Sequence, residues 1–166
     1  MPTTVNIPME LLVISVNSAN AFWTAKSGAN VDHAHVSFVD SGEGVAYYAA
    51  QVPTNINLTP SWNLNFDHMA DSGSGGNVVI TFSARAMSNN VYDITPTVVS
   101  SAGVYAVNTF NTMTFHTAVS GGNFDGVVTI SANQYFVVKV NRHGGNTSDT
   151  VNSIWNLKTL KLMVNI

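Results

Sequence analysis

The pattern His33-Ala34-His35 holds the most chemistry in this chain. On a strand, positions i and i+2 project to one side, so both imidazoles face the same way. A zinc site needs three or four ligands, and the others would have to come from His68, His116 or distant aspartates. Without them the pair reads as two histidines on a polar face, and no metal is expected. The run Asp71-Ser72-Gly73-Ser74-Gly75-Gly76-Asn77 superficially looks like a calcium loop but lacks the spaced acidic ligands and the closing glutamate. It reads as a turn. No Lys follows those glycines and no helix begins there, so they do not cradle a phosphate.

Hydrolytic chemistry needs a nucleophile beside a base, or two facing carboxylates. No G-x-S-x-G elbow is present, and so many serines allow a Ser–His–Asp set to be assembled at will, which empties the match of meaning. Asp32, Asp40, Glu43, Asp67, Asp71, Asp93, Asp125 and Asp149 fall mostly in turns or on polar faces, and Glu10 lies near the start. The chain reads as a non-enzyme without a cofactor.

Aromatic side chains are the remaining candidates, because Tyr47, Tyr48, Trp62, Trp23 and Trp155 could form a sugar-binding platform. Trp62 alternates with Leu64 and Phe66, which is the pattern of a core face. Tyr47 and Tyr48 point to opposite faces of one strand, so at most one faces the core. Phe22 and Trp23 lie in a polar loop over residues 18–30. They either plug one end of the domain or, with Leu11 and Val13 of the first strand, touch a partner.

These residues need a scaffold, and the periodicity supplies one. Strands are expected over residues 11–16, 31–39, 45–52, 62–68, 77–87, 109–119, 126–131, 134–142 and 153–166. Along residues 61–69, Trp62, Leu64, Phe66 and His68 share one face, while Asn63, Asn65 and Asp67 share the other, wet one. His68 is placed near the edge of its sheet. Residues 40–44, 71–76 and 121–123 read as turns, and 53–60 and 144–150 as loops. Pro96 limits pairing in 89–107, which has weak strand signals at Val98-Val99 and 104–107 and room for one helical turn. No window carries a capped helical period. The expected fold is all-β, a jelly-roll-like antiparallel β-sandwich with an extended N-terminal arm. Residues 1–20 would be the arm with the first strand, irregular to residue 10 where Pro2 and Pro8 oppose regular structure, and 21–166 the single sandwich domain.

Composition narrows the function. The 166 residues suffice for one buried core, and the absence of cysteine excludes disulfides and thiolate metal sites. Charged residues make up 9%, against roughly 25% in an ordinary domain. The net charge of -3 offers no basic footprint for nucleic acid. The apolar run at residues 11–16 is too short to cross a membrane, and no signal peptide is read at the N-terminus. A surface of Asn, Ser, Thr and Gln fits a neutral soluble β protein, or one that packs against copies of itself.

Several segments resemble the jelly-roll domain of tailed-phage structural proteins, found in head-decoration and tail-fibre polypeptides. The likeness spans residues 30–166 and rests on residues 43–53 (EGVAYYAAQVP), the Trp62 strand, the Ser/Gly turn, residues 77–82 (NVVITF), 134–142 (QYFVVKVNR) and the closing 160–166 (LKLMVNI). The resemblance implies a framework and transfers no functional residues. It implies a virion structural protein, most simply a capsid decoration or cement protein on the head exterior. Its partners would be the major capsid protein or other virion proteins, and it would form a homo-oligomer with a trimer favoured. The alternative is a carbohydrate- or receptor-binding module of a tail fibre, with a glycan as partner.

Overall fold

The computed structural model describes residues 4–14, 19–27, 32–55, 62–72, 75–87, 98–99, 102–107, 114–120 and 130–165; for 25–27, 32–33, 98–99, 114–120 and 165 it describes the backbone alone. All regular structure among them is β. The strands are β1 (Thr4–Pro8), β2 (Glu10–Ile14), β3 (Ala21–Ser27), β4 (Asp32–Phe38), β5 (Glu43–Gln51), β6 (Asn63–Ala70), β7 (Gly76–Met87), β8 (Val98–Val99), β9 (Gly103–Val107), β10 (Thr114–Ser120), β11 (Tyr135–His143) and β12 (Trp155–Asn165).

They form two antiparallel sheets. Sheet I runs β10-β6-β12-β4-β3, with β1 also on β12; sheet II runs β2-β5-β11-β7-β8, with β9 also on β7. From β4 to β7 the chain changes sheet at every connection, and it does so again through β10, β11 and β12. That alternation makes a jelly-roll sandwich and leaves most hydrogen-bonded neighbours far apart in sequence.

The core lies between the sheets. Val36, Phe38, Leu64, Phe66, Trp155, Leu157, Leu160 and Leu162 line sheet I, and Ala46, Tyr48, Ala50, Phe82, Ala84, Phe136, Val138 and Val140 line sheet II. Aromatic rings bridge the layers, with Phe66 5.4 Å from Phe82 and Trp62 4.8 Å from Phe136. The alternation along residues 61–69 thus places Trp62, Leu64 and Phe66 inside, as expected.

Four expectations change. Residues 4–14 are two strands: β1 pairs with β12 in register from Thr4↔Asn165 to Pro8↔Lys161, and β2 pairs with β5. The chain crosses between the sheets at buried Met9. Phe22 and Trp23 belong to a strand, because β3 pairs with β4 along its whole length. His68 is fully buried, since the Trp155 indole N–H donates to its Nδ1 at 2.7 Å and gives the imidazole a partner inside the core. His35 is also buried on the outer face of sheet I, next to Ser37, which hydrogen-bonds Asn156 at 2.7 Å and Thr24 at 2.8 Å. The strand expected over 126–131 reaches the described residues only at Ile130 and Ser131, which lie outside any strand; the turn at 121–123, residues 56–60 of the loop and residues 89–97 fall outside them.

One charged residue reaches across the sandwich. Arg142 is fully buried, and its five donors are all used: Nε and Nη2 grip Asp149 at 3.1 and 2.9 Å, Nη2 also donates to the Val151 carbonyl, and Nη1 donates to those of Phe38 and Ser153. A planar guanidinium suits this because its fork matches a carboxylate while its other N–H groups reach carbonyls. The loop after β11 is thereby stapled to both sheets.

Candidate functional site

Side chains alternate along a strand, so the outer face of sheet II is read directly from its registers. Across β5, β11 and β7 the outward rows are Gln51–Tyr135–Met87, Ala49–Val137–Arg85, Tyr47–Lys139–Ser83, Val45–Asn141–Thr81 and Glu43–His143. Three zones follow. At one end Ala49, Val137 and Met87 form a small buried apolar floor on which Tyr47 packs, and Tyr135 stands beside it with 48% of its surface exposed. In the middle, Arg85 and Lys139 are half-buried on neighbouring strands. The far end is a hydrogen-bonded network.

In that network Thr81 Oγ1 lies 2.7 Å from His143 Nε2, His143 Nδ1 lies 3.2 Å from Glu43 Oε1, and Asn141 Nδ2 donates to Glu43 Oε2 at 3.3 Å. The carboxylate accepts from Nδ1–H, and in the neutral imidazole Nε2 then accepts the threonine hydroxyl. Hydroxyl, imidazole and carboxylate in this order are the parts of a nucleophile relay. Glu43, however, has a side chain 65% exposed, whereas such a relay keeps its carboxylate buried. Asn141, opposite Thr81, turns its amide to Glu43. The arrangement orients polar groups; it does not activate a nucleophile.

Tyr48, the inward neighbour of Tyr47, is in the core, and burial pushes its phenol well above the usual tyrosine range. Of the predicted platform, then, Tyr47 is on the outer face, Tyr48, Trp62 and Trp155 are core, and Trp23 is elsewhere. Tyr135 was not singled out from the sequence. The signal was present in residues 134–142, where alternation puts Tyr135, Val137, Lys139 and Asn141 on one face.

The predicted interface residues lie on neighbouring strands but not on one face: Val13 is opposite Tyr47 on the outer face of sheet II, and Phe22 is opposite Ser37 on the outer face of sheet I. β2 and β3 are edge strands of the two sheets and touch each other on one side of the sandwich. Val13, Phe22 and Trp23 are exposed there, joined by Leu12 at 48%, while Leu11 is half-buried against the core. Among the described residues no three His, Asp or Glu side chains gather around one point, and the side chains of His33 and His116 lie outside them. Asp71 of the calcium-like run accepts a hydrogen bond from Asn156.

No family model and no curated protein matches this chain. Among solved structures, the family 11 carbohydrate-binding module of the cellulosomal cellulase Lic26A-Cel5E of Clostridium thermocellum is similar, at 10% identity and a TM-score of 0.49 over 98% of this chain and 94% of that one. The family 11 module from the same organism in complex with a β-1,3-1,4-mixed-linked tetrasaccharide is similar at 12% identity and a TM-score of 0.46, over 94% of this chain and 95% of that one.

Proposed function

We propose that this chain is a non-catalytic carbohydrate-binding module, and that the outer face of sheet II takes a glycan. The observation that carries the reading is the two-tyrosine face: Tyr135 and Tyr47 flank an apolar floor, with Gln51, Ser83, Thr81 and Asn141 around them. A pyranose presents an apolar face ringed by hydroxyls. It is met by an aromatic ring beneath it and by amide and hydroxyl partners around it. Four residues along the strand separate the row of Tyr135 from that of Tyr47, about 13 Å, which suits a chain of several sugars. A glycan array followed by calorimetry tests it. Tyr135→Ala should weaken binding about tenfold, or 1.4 kcal/mol, with the melting temperature unchanged. A chain that binds no glycan on the array would overturn the reading.

A second reading is favoured by a different observation, the exposed Leu12, Val13, Phe22 and Trp23 on two adjacent edge strands. Edges with no strand beside them among the described residues, carrying apolar side chains, suit assembly with other protein, as a capsid decoration protein on a phage head would need. Light scattering tests it: a trimer that Trp23→Ser dissociates supports assembly through this side, and a monomer at all concentrations speaks against self-assembly.

A further inference from the structure

We propose that β3 is a self-pairing edge, through which two copies of this chain join antiparallel about a two-fold axis at Thr24. The inference goes beyond the glycan reading and narrows the second one, since it rests on the same exposed side as a contact surface. An edge strand offers a row of backbone groups to any other strand, and proteins blunt such edges with short strands, prolines, bulges and charges. Most edges here are blunted. Among the described residues β2 and β10 carry a register shift, β8 has two residues, β9 opens on a glycine and β1 ends in Pro8. β3 alone combines seven residues with an unbroken register, and Lys26 is its single charge. It also shows solvent two large rings, with 57% of Trp23 and 38% of Phe22 exposed.

The sequence of β3, AFWTAKS, matches itself in this arrangement. With Thr24 on the axis, Trp23 falls opposite the second copy's Ala25, Phe22 opposite its Lys26 and Ala21 opposite its Ser27. Each ring thus meets a small residue or one with a long aliphatic stem. The two Lys26 positions are four residues apart along the pair, about 13 Å, beyond the screening length of about 8 Å at physiological salt. The strand therefore meets its own copy without like charges in contact. A two-fold contact also closes on itself, because one strand serves both copies. Head-to-tail assembly would need a second long and regular edge, and the described residues hold none beside β3. Pairing joins the two copies of six-stranded sheet I into one sheet and takes Trp23 and Phe22 out of water. One strand pair and four rings make a small interface, so the dimer is expected at micromolar concentration.

Sedimentation velocity of the whole chain, from micromolar to millimolar concentration, tests this. A monomer–dimer equilibrium with no larger species is expected. Phe22→Lys and Phe22→Glu both remove the ring, but the first sets like charges opposite Lys26 twice per dimer and the second sets opposite charges there. The Lys variant should therefore dimerise about tenfold more weakly than the Glu variant, and added NaCl should narrow the gap. Trp23→Ser leaves the charges alone and should weaken the dimer about tenfold. Should a Phe22 variant fail to fold, Trp23→Ser still decides. Equal affinities of the two charge variants overturn the register about Thr24. A trimer that Trp23→Ser dissociates overturns the two-fold contact and leaves the decoration reading standing. A monomer at every concentration overturns self-pairing and leaves this side to a different protein. A dimer that survives both Trp23→Ser and Phe22→Lys places the contact elsewhere, which overturns the proposal and the second reading together.

Discussion

Arg142 shows how one side chain couples the two layers. Its guanidinium is buried with Asp149, and every N–H has an acceptor, so the cost of taking the charge from water is offset by a full set of bonds. Asp149 in turn accepts from the backbone N–H of Val79, which ties the loop to β7. Arg142→Met leaves that carboxylate buried without its partner and should cost about 3–5 kcal/mol, read from the urea midpoint. Arg142→Lys should recover only part of the loss, because an ammonium cannot fork onto the carboxylate while reaching three carbonyls. An unchanged midpoint in the Met variant would contradict the staple. Tyr48 leads to a pH prediction of definite sign. Burial raises its phenol above the unfolded value near 10, and Tyr105 is raised by the same cause. The folded state then keeps protons that the unfolded chain releases, so stability is complete below about pH 10 and falls above it. Each retained proton contributes a slope of about 1.4 kcal/mol per pH unit. Tyr48→Phe should remove one such slope between pH 10 and 12, measured by denaturant melts at stepped pH.

At the scale of elements, the N-terminal segment divides its strands between the sheets. β1 covers the edge of β12 beyond the part that β4 reaches, for β4 pairs with residues 155–157 and β1 with 161–165. Deleting residues 1–8 should therefore uncover a long edge on β12. With net values near 0.5–1 kcal/mol per hydrogen bond, the loss is on the order of 3 kcal/mol. The bared edge should also promote self-association. Urea melts and size-exclusion chromatography read the two effects separately; unchanged stability would mean that β1 does not pair within its own chain. The strands with one inward face were legible, such as β6 and β7, because burial of alternate residues writes the period into the sequence. β3 was not. It is an edge strand whose neighbouring Phe22 and Trp23, on opposite faces, are both exposed, so its sequence has no alternation to record. β1 was hidden for a related reason, since its partner lies at the other end of the chain.

For the whole molecule, what the sequence could not show is long-range pairing. His68 meets Trp155 across 87 positions, and His143 meets Glu43 across 100. Neither residue type announces its partner, so His68 looked like an edge residue, and the polar network on sheet II had no local signature. The candidate face itself was half legible: alternation assigned Tyr47 to one side of its strand, but only the register of β5 against β11 placed Tyr135 and Lys139 beside it. The same topology governs how the protein folds. β1 must find β12, β5 must find β11, and β6 must find β12, so nearly every interior ladder closes a long loop before burial rewards it. Sheets dominated by such pairings fold in roughly milliseconds to seconds, far slower than helical chains of similar stability. Stopped-flow refolding followed by tryptophan fluorescence should give relaxation in that window. Trp62 and Trp155, both in the core, should report the final packing together. Microsecond refolding would show that local contacts, not the crossings between sheets, set the rate.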